Sequence, residues 1–197
     1  MYIPGRKYVI LIVIGLFIEA LILLNSCQSE DKQNNDLSFN FDFEIKGENN
    51  KPVNWMIDGT GYTIKLDGQN AYHGKYGLSI KKYGDGNFAC AGQFLPINSV
   101  RGKHLTLTGY IKTLNVKNGY AGLWLRVDSN KTTIKLDNMS KNGVSGTTTW
   151  KRYTIEMDIN KGAEAVGFGV LLNGDGVAWF DSINVYIDGV KLTKNNK

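Results

Sequence analysis

From residue 38 onward the chain runs in short stretches of alternating or β-branched residues, separated by Gly, Asn and Asp. Apolar residues at every third or fourth position, the mark of an amphipathic helix, are scarce there, whereas a period of two marks a strand with one buried face. The pattern predicts strands at 38–45, 62–66, 76–81, 90–95, 104–113, 119–128, 132–136, 153–159, 165–172 and 178–187. Asp-Gly pairs at Asp58-Gly59, Asp67-Gly68, Asp85-Gly86, Asp175-Gly176 and Asp188-Gly189 supply turns. Many short strands at this spacing predict an all-β sandwich or barrel.

Alternation also assigns faces. Leu105, Leu107, Gly109 and Ile111 share one side of their strand, and Thr106, Thr108, Tyr110 and Lys112 share the other. Leu123, Leu125 and Val127 lie opposite Gly122, Trp124 and Arg126. A sandwich strand buries one side and exposes the other, which places Tyr110, Lys112, Trp124 and Arg126 outward. Phe168, Val170 and Leu172 are expected in the core, as are Trp179, Ile183, Val185 and Ile187. Trp55 and Trp150 are expected to pack in the core or under loops.

The first 37 residues differ. Arg6 and Lys7 precede an apolar run over residues 8–24 that only Glu19 interrupts, and Leu24-Asn25-Ser26-Cys27 follows. A charged start, an apolar middle and small residues at a cut describe a secretion signal. An uncleaved anchor is the alternative, at the lower length limit for a span and with a costly carboxylate inside it. Leu24-Asn25-Ser26-Cys27 resembles the lipobox of bacterial lipoproteins. That resemblance implies a signal over 1–26 and acyl chains on Cys27 that hold the protein to a bilayer. Residues 28–36 carry no apolar side chain, so 27–37 reads as a polar tether. Ser29-Glu30-Asp31 resembles an acidic export signal, which implies the outer membrane and a surface-exposed position.

The formal charge of +5 falls to +4 once Arg6, Lys7 and Glu19 are removed. Lys191, Lys194 and Lys197 gather in the segment 191–197, read as a solvated basic tail. No basic stripe interleaved with aromatics accompanies them, so nucleic acid is not an expected partner. With Cys27 lipidated, Cys90 has no intramolecular partner and is expected as a buried thiol. His73 and His104 with one thiol fall short of a zinc site. There is no Gly-x-Ser-x-Gly, His-Glu-x-x-His or phosphate loop, and no enzymatic activity is expected.

A broader resemblance covers Phe39 to Ile187. Asn40-Phe41-Asp42-Phe43-Glu44, Trp55, His73-Gly74-Lys75-Tyr76-Gly77-Leu78-Ser79-Ile80, Gln93, Trp150-Lys151-Arg152-Tyr153 and Trp179-Phe180-Asp181-Ser182-Ile183 occur in that order. Together they resemble a galactose-binding-like jelly roll of the kind found in carbohydrate-binding modules of the family four/nine group. The resemblance implies a jelly-roll β-sandwich over 38–190. It also implies a structural calcium at Glu44 and Asp181, since a hard cation takes carboxylate and carbonyl oxygens. The alternative for those two acids is turn capping or pairing with lysines.

A carbohydrate ligand is the expected partner. Trp124 with Arg126, Tyr110 with Lys112, and Asp137 with Asn138 combine a ring for stacking with groups that bond hydroxyls. The function expected is a lipid-anchored, non-catalytic lipoprotein that binds a glycan at the cell surface. Two alternatives stand beside it: a structural or protein-interaction lipoprotein, and an accessory module for a separate hydrolase.

Overall fold

The alternating positions at Leu105, Leu107 and Ile111 and at Leu123, Leu125 and Val127 belong to one strand, β5 (His104–Ser129), rather than two. Its partner β8 (Ala165–Ile187) likewise joins the two expected strands at 165–172 and 178–187. The two pair antiparallel from Leu105 opposite Ile187 to Asp128 opposite Ala165, with register shifts at a shared corner. There the chain needs left-handed backbone, which Asn115, Asn118, Gly174 and Gly176 supply. The computed structural model describes residues 39–193. The expected signal, Cys27, the tether, Lys194 and Lys197 lie outside the described residues.

The other strands are β1 (Met56–Asp58), β2 (Tyr62–Asp67), β3 (Gly77–Lys82), β4 (Phe88–Phe94), β6 (Thr132–Asp137), β7 (Val144–Asp158) and β9 (Val190–Lys191). A one-turn helix, α1 (Ile97–Val100), links β4 to β5. Beyond the corner the flanking strands change. The C-terminal half of β8 takes β3, with β2 outside it, while the N-terminal half takes β4, with β1 outside it. The N-terminal half of β5 is flanked by β7 and the C-terminal half by β6. The result is two layers, β2-β3-β8-β5-β7 and β1-β4-β8-β5-β6. Their inner faces meet in one core, with Leu78, Ile80, Leu107 and Phe180 from the first layer and Leu123, Leu125, Phe168 and Val170 from the second.

Three sequence expectations are corrected. Residues 39–45 form turns instead of a strand: Asn40 and Phe43 have positive φ, so the stretch coils inward. The Asn40 side chain holds that coil, donating to the carbonyls of Ile45 (2.9 Å) and Val53 (3.1 Å) and accepting from the Ile45 amide (2.9 Å). Phe39 and Phe43 are buried by it, and Trp55 donates to the Asn40 carbonyl at 3.1 Å. Gln93 donates to the carbonyl of Phe39, so these buried polar groups are paired.

Trp179 is buried but not in the core. It stands beside Phe180, which fills the inner face, and a bulge at Asp181 and Ser182 (φ 50°) resets the alternation so that Ile183 and Val185 point inward again. A bulge shifts the face of every following residue, which a period-two pattern does not register. Finally, the fold continues past 190: Val190–Lys191 pairs with β8, and Leu192 is buried and bonded to Val185.

Candidate functional site

Across the outer face of the second layer, ladder pairing lines up side chains from β4, β8 and β5. One row is Phe94, Gly167 and Arg126; the next is Gly92, Gly169 and Trp124; then Cys90, Leu171 and Gly122; then Phe88, Asn173 and Tyr120. The glycines determine the relief. A Cβ at Gly167 would lie 3.1 Å from Cζ3 of Trp124, and one at Gly169 would lie 2.7 Å from its Nε1. A Cβ at Gly92 would collide with the same ring. The indole therefore lies down over three positions that carry no side chain, and its Nε1 reaches the Val170 carbonyl at 3.3 Å.

Beside the indole runs a trough of about 310 Å³. Cys90 and Leu171 form its floor, Phe88, Asn173 and Tyr120 its far wall, and Arg126, Leu136 and Asn138 its near end. Phe88 and Phe94 are each about half exposed. The Tyr120 ring sits against Gly143, where a side chain would strike it.

The charges are arranged around the trough. Arg126 Nε donates to Asp128 at 2.8 Å, and Thr133 bonds the same carboxylate oxygen at 2.9 Å. The guanidinium holds the Asp128 carboxyl below its usual range. Burial, with Asp58 across the ladder, pushes the Cys90 thiol up. Burial, with Asp137 nearby, raises the Tyr120 phenol. Cys90 is thus a half-buried thiol in the trough floor, where a buried one was expected.

The structure brings together Trp124, Arg126 and Asn138 of the sequence candidates. Asp137 caps the backbone amide of Met139 at 2.9 Å on the trough's edge. Tyr110 and Lys112 point outward as expected, but from the other layer. Tyr110 is stacked under Tyr72, with ring centroids 3.6 Å apart. Lys112 donates to Asn70 at 2.9 Å and lies 5.2 Å from the Trp179 ring centre. Trp179 donates to Asp67 at 2.8 Å. Phe88, Phe94, Tyr120, Leu171 and Asn173 were not among the sequence candidates. Their signal is the run Phe88-Ala-Cys-Ala-Gly-Gln-Phe94, where alanines take the inner face and leave the aromatics outside.

Glu44 and Asp181 act as latches for the loop between β2 and β3. Asp181 is fully buried and accepts the amides of Tyr72 (2.8 Å), His73 (3.0 Å) and Ser182. Glu44 accepts those of Lys75 (2.8 Å) and Tyr76 (3.0 Å). Burial, with the neighbouring Glu44 charge, pushes the Asp181 carboxyl up despite these bonds. Glu44 takes both of its amides at Oε1 and Asp181 uses both of its oxygens, so the two acids carry out the turn capping that is the alternative to a calcium site. Among the described residues no cluster of three or more His, Cys, Asp or Glu side chains could hold a metal ion.

No family model matches the chain. It is 34% identical over 140 residues to an uncharacterized HTH-type transcriptional regulator, YbfP, of Bacillus subtilis (strain 168). That match covers 68% of this chain and 47% of the regulator, so the chain spans about half the length of the curated relative it matches. Among solved structures, the CBM22-1 xylan-binding domain of Paenibacillus barcinonensis Xyn10C superposes with a TM-score of 0.57. It is 15% identical, over 78% of this chain and 94% of that one. The C-terminal family 22 carbohydrate-binding module of Clostridium thermocellum Xyn10B gives 0.52 at 14% identity, over 78% and 98%. The Stig cyclase Fisc of Fischerella sp. TAU gives 0.53 at 14% identity, over 77% and 96%. At such identities the likeness is one of fold: the chain is a jelly-roll β-sandwich of the kind seen in carbohydrate-binding modules.

Proposed function

We propose that this chain is a non-catalytic glycan-binding module, with the ligand lying in the trough beside Trp124. The observation that carries this is the indole laid over Gly92, Gly167 and Gly169, with hydrogen-bonding groups on Asn138, Asn173, Tyr120 and Arg126 around it. A pyranose presents an apolar face to a ring and hydroxyls at its edge, and this surface complements both. The xylan-binding name of one neighbour supports the same class of ligand. Asp128 offsets the Arg126 charge, and Asp58 and Asp137 flank the trough, which favours a neutral sugar.

Affinity electrophoresis of the full-length protein in gels containing xylan and other neutral polysaccharides tests this. Aromatic stacking contributes about 1–3 kcal/mol by analogy with base stacking. Trp124→Ala should therefore weaken retention about 5- to 150-fold at an unchanged melting temperature. A folded Trp124→Ala that binds as wild type would sink the assignment.

We propose further that the module is displayed at a membrane surface through acyl chains on Cys27. Cys27→Ala should leave the precursor unprocessed and change its detergent partitioning, and an unchanged N-terminal mass in the variant would count against the anchor. The similarity to a regulator favours a second function for the same trough, that of a ligand-sensing domain. The described residues hold only a four-residue α-helix, so a helix-turn-helix has no counterpart among them. The two functions share the trough and part over compartment. Mass spectrometry of the native N-terminus separates them, because only the exported form carries lipid on Cys27.

A further inference from the structure

The chain contains two Trp-x-Arg pairs, Trp124-Leu125-Arg126 and Trp150-Lys151-Arg152. The first belongs to the trough. The second stands on β7 in the other layer, where Tyr153 and Ile155 pack toward the core and the intervening positions face outward. Residues two apart on a strand project from one side, about 6.5–7 Å from each other.

Around this second pair the outer face is assembled from three elements. Arg152 is the ladder partner of Tyr110. Tyr110 carries the Tyr72 ring stacked on it at 3.6 Å and 15°. Trp150 stands against Tyr72 at 6.0 Å and 62°. Tyr72, Trp150 and Arg152 therefore share one niche of the outer face, two rings at a steep angle with Arg152 next to Tyr110 in the ladder. The niche is held in shape. Asp181 fixes the backbone of Tyr72 and His73, and Lys112 ties Asn70 to the sheet. Tyr72 nonetheless remains 45% exposed.

The two arginines differ in one respect. Arg126 is held by Asp128, whereas among the described residues Arg152 makes no ion pair and is exposed. A guanidinium with no carboxylate of its own can take a ligand carboxylate through paired N–H bonds, which are shorter and stronger than bonds to neutral groups.

We propose that Tyr72, Trp150 and Arg152 form a second binding site, for an acidic sugar such as a uronic acid residue of a glycan. The sugar ring rests against the two aromatic rings, and Arg152 bonds its carboxylate. The site is independent of the trough and lies in the other layer. A single-stranded nucleic acid fits less well, because it needs a basic groove along its backbone and successive stacking rings, and the niche offers one free guanidinium.

The test is affinity electrophoresis of the full-length protein in gels containing polygalacturonate, or the same polymer after reduction of its carboxyl groups. In a Trp124→Ala background, which removes the trough's own hold on neutral sugar, the protein should be retarded by the first and much less by the second. Arg152→Gln should weaken retardation about tenfold or more, the scale of a lost charge-assisted bond. Tyr72→Ala should do the same, while the distant Lys65→Gln leaves it unchanged. Melting curves confirm that each variant is folded, and Arg152→Gln, at an exposed position, keeps the test open if Tyr72→Ala is not. Equal retardation by the reduced polymer overturns the proposal. So does loss in Lys65→Gln matching that in Arg152→Gln, or an oligonucleotide bound more tightly through Arg152 than polygalacturonate.

Discussion

Gly167 stands between Phe94 and Trp124: a Cβ built on it would have its three nearest neighbours in those two rings, at 3.1 to 3.3 Å. The absence of that one carbon lets an aromatic side chain from β4 and another from β5 share the surface of β8. Gly167→Val is expected to push both rings outward and weaken glycan retention several-fold. Gly167 is buried beneath the two rings, so the added side chain must displace them, and stability should fall by about 1–3 kcal/mol, the scale of overpacking. Electrophoretic affinity and denaturant unfolding measured on the same preparation check both halves, and unchanged affinity would show that the ring position is immaterial to binding.

The face of Trp179 separates two outcomes. Phe168→Ala, which opens the core beneath the second layer, should cost about 3–5 kcal/mol in urea unfolding. Trp179→Phe keeps the ring outside the core and removes the bond to Asp67, and should cost about 1–2 kcal/mol. A loss in Trp179→Phe as large as that in Phe168→Ala would place Trp179 in the core after all.

Asp181 is expected to act through its amide partners and not through a metal. Asp181→Ala leaves the Tyr72 and His73 amides without an acceptor and should cost about 1.5–3 kcal/mol. Adding a chelator should leave the wild-type melting temperature where it is, and calcium should not raise it. A fall with chelator that calcium reverses would restore the metal role.

His104 and Asp158 make an exposed pair at 2.7 Å. The bond to Asp158 raises the His104 pKa above 6.5, and the same bond lowers that of Asp158 below 3.8. The histidine contribution is complete below pH about 6.5 and fades as pH rises through the raised value. The aspartate contribution is complete above pH about 4 and fades as pH falls through the depressed value. Glu156 and Asp188 also act on His104, and Lys135 on Asp158, so the pair is best isolated by difference. The melting-temperature difference between wild type and Asp158→Asn should be largest near pH 5 and vanish above pH 9. A difference that is the same at both values would mean that the pair does not titrate as drawn.

Much of this was legible from alternation alone. Leu123, Leu125 and Val127 face inward and Trp124 and Arg126 outward, as a period of two requires. The sequence misleads where the backbone breaks that period. The bulge at Asp181 and Ser182 moves Trp179 to the outer face, and positive φ at Asn40 and Phe43 turns an apolar alternation into a coil. Long-range partners were also hidden. Nothing near Trp124 in the sequence indicates that Gly92 and Gly169 clear its resting place, or that the ring on Tyr110 comes from a loop at Tyr72. Those relations belong to strand order, which local pattern does not encode.

Because β5 and β8 pass through both layers, the order in which the layers assemble is constrained. Their pairing begins closest in the chain at Asp128 and Ala165 and ends farthest apart at Leu105 and Ile187. Closing the shorter loop costs less entropy, so the zipper is expected to start in the trough-bearing layer and run through the corner into the other. Truncation at Leu125 should then slow refolding, while truncation at Leu105 should mainly speed unfolding; equal effects on the folding rate would argue for simultaneous closure. On this route the surface bearing Trp124 is built first, and the niche at Tyr72 takes shape only once the ladder has turned the corner.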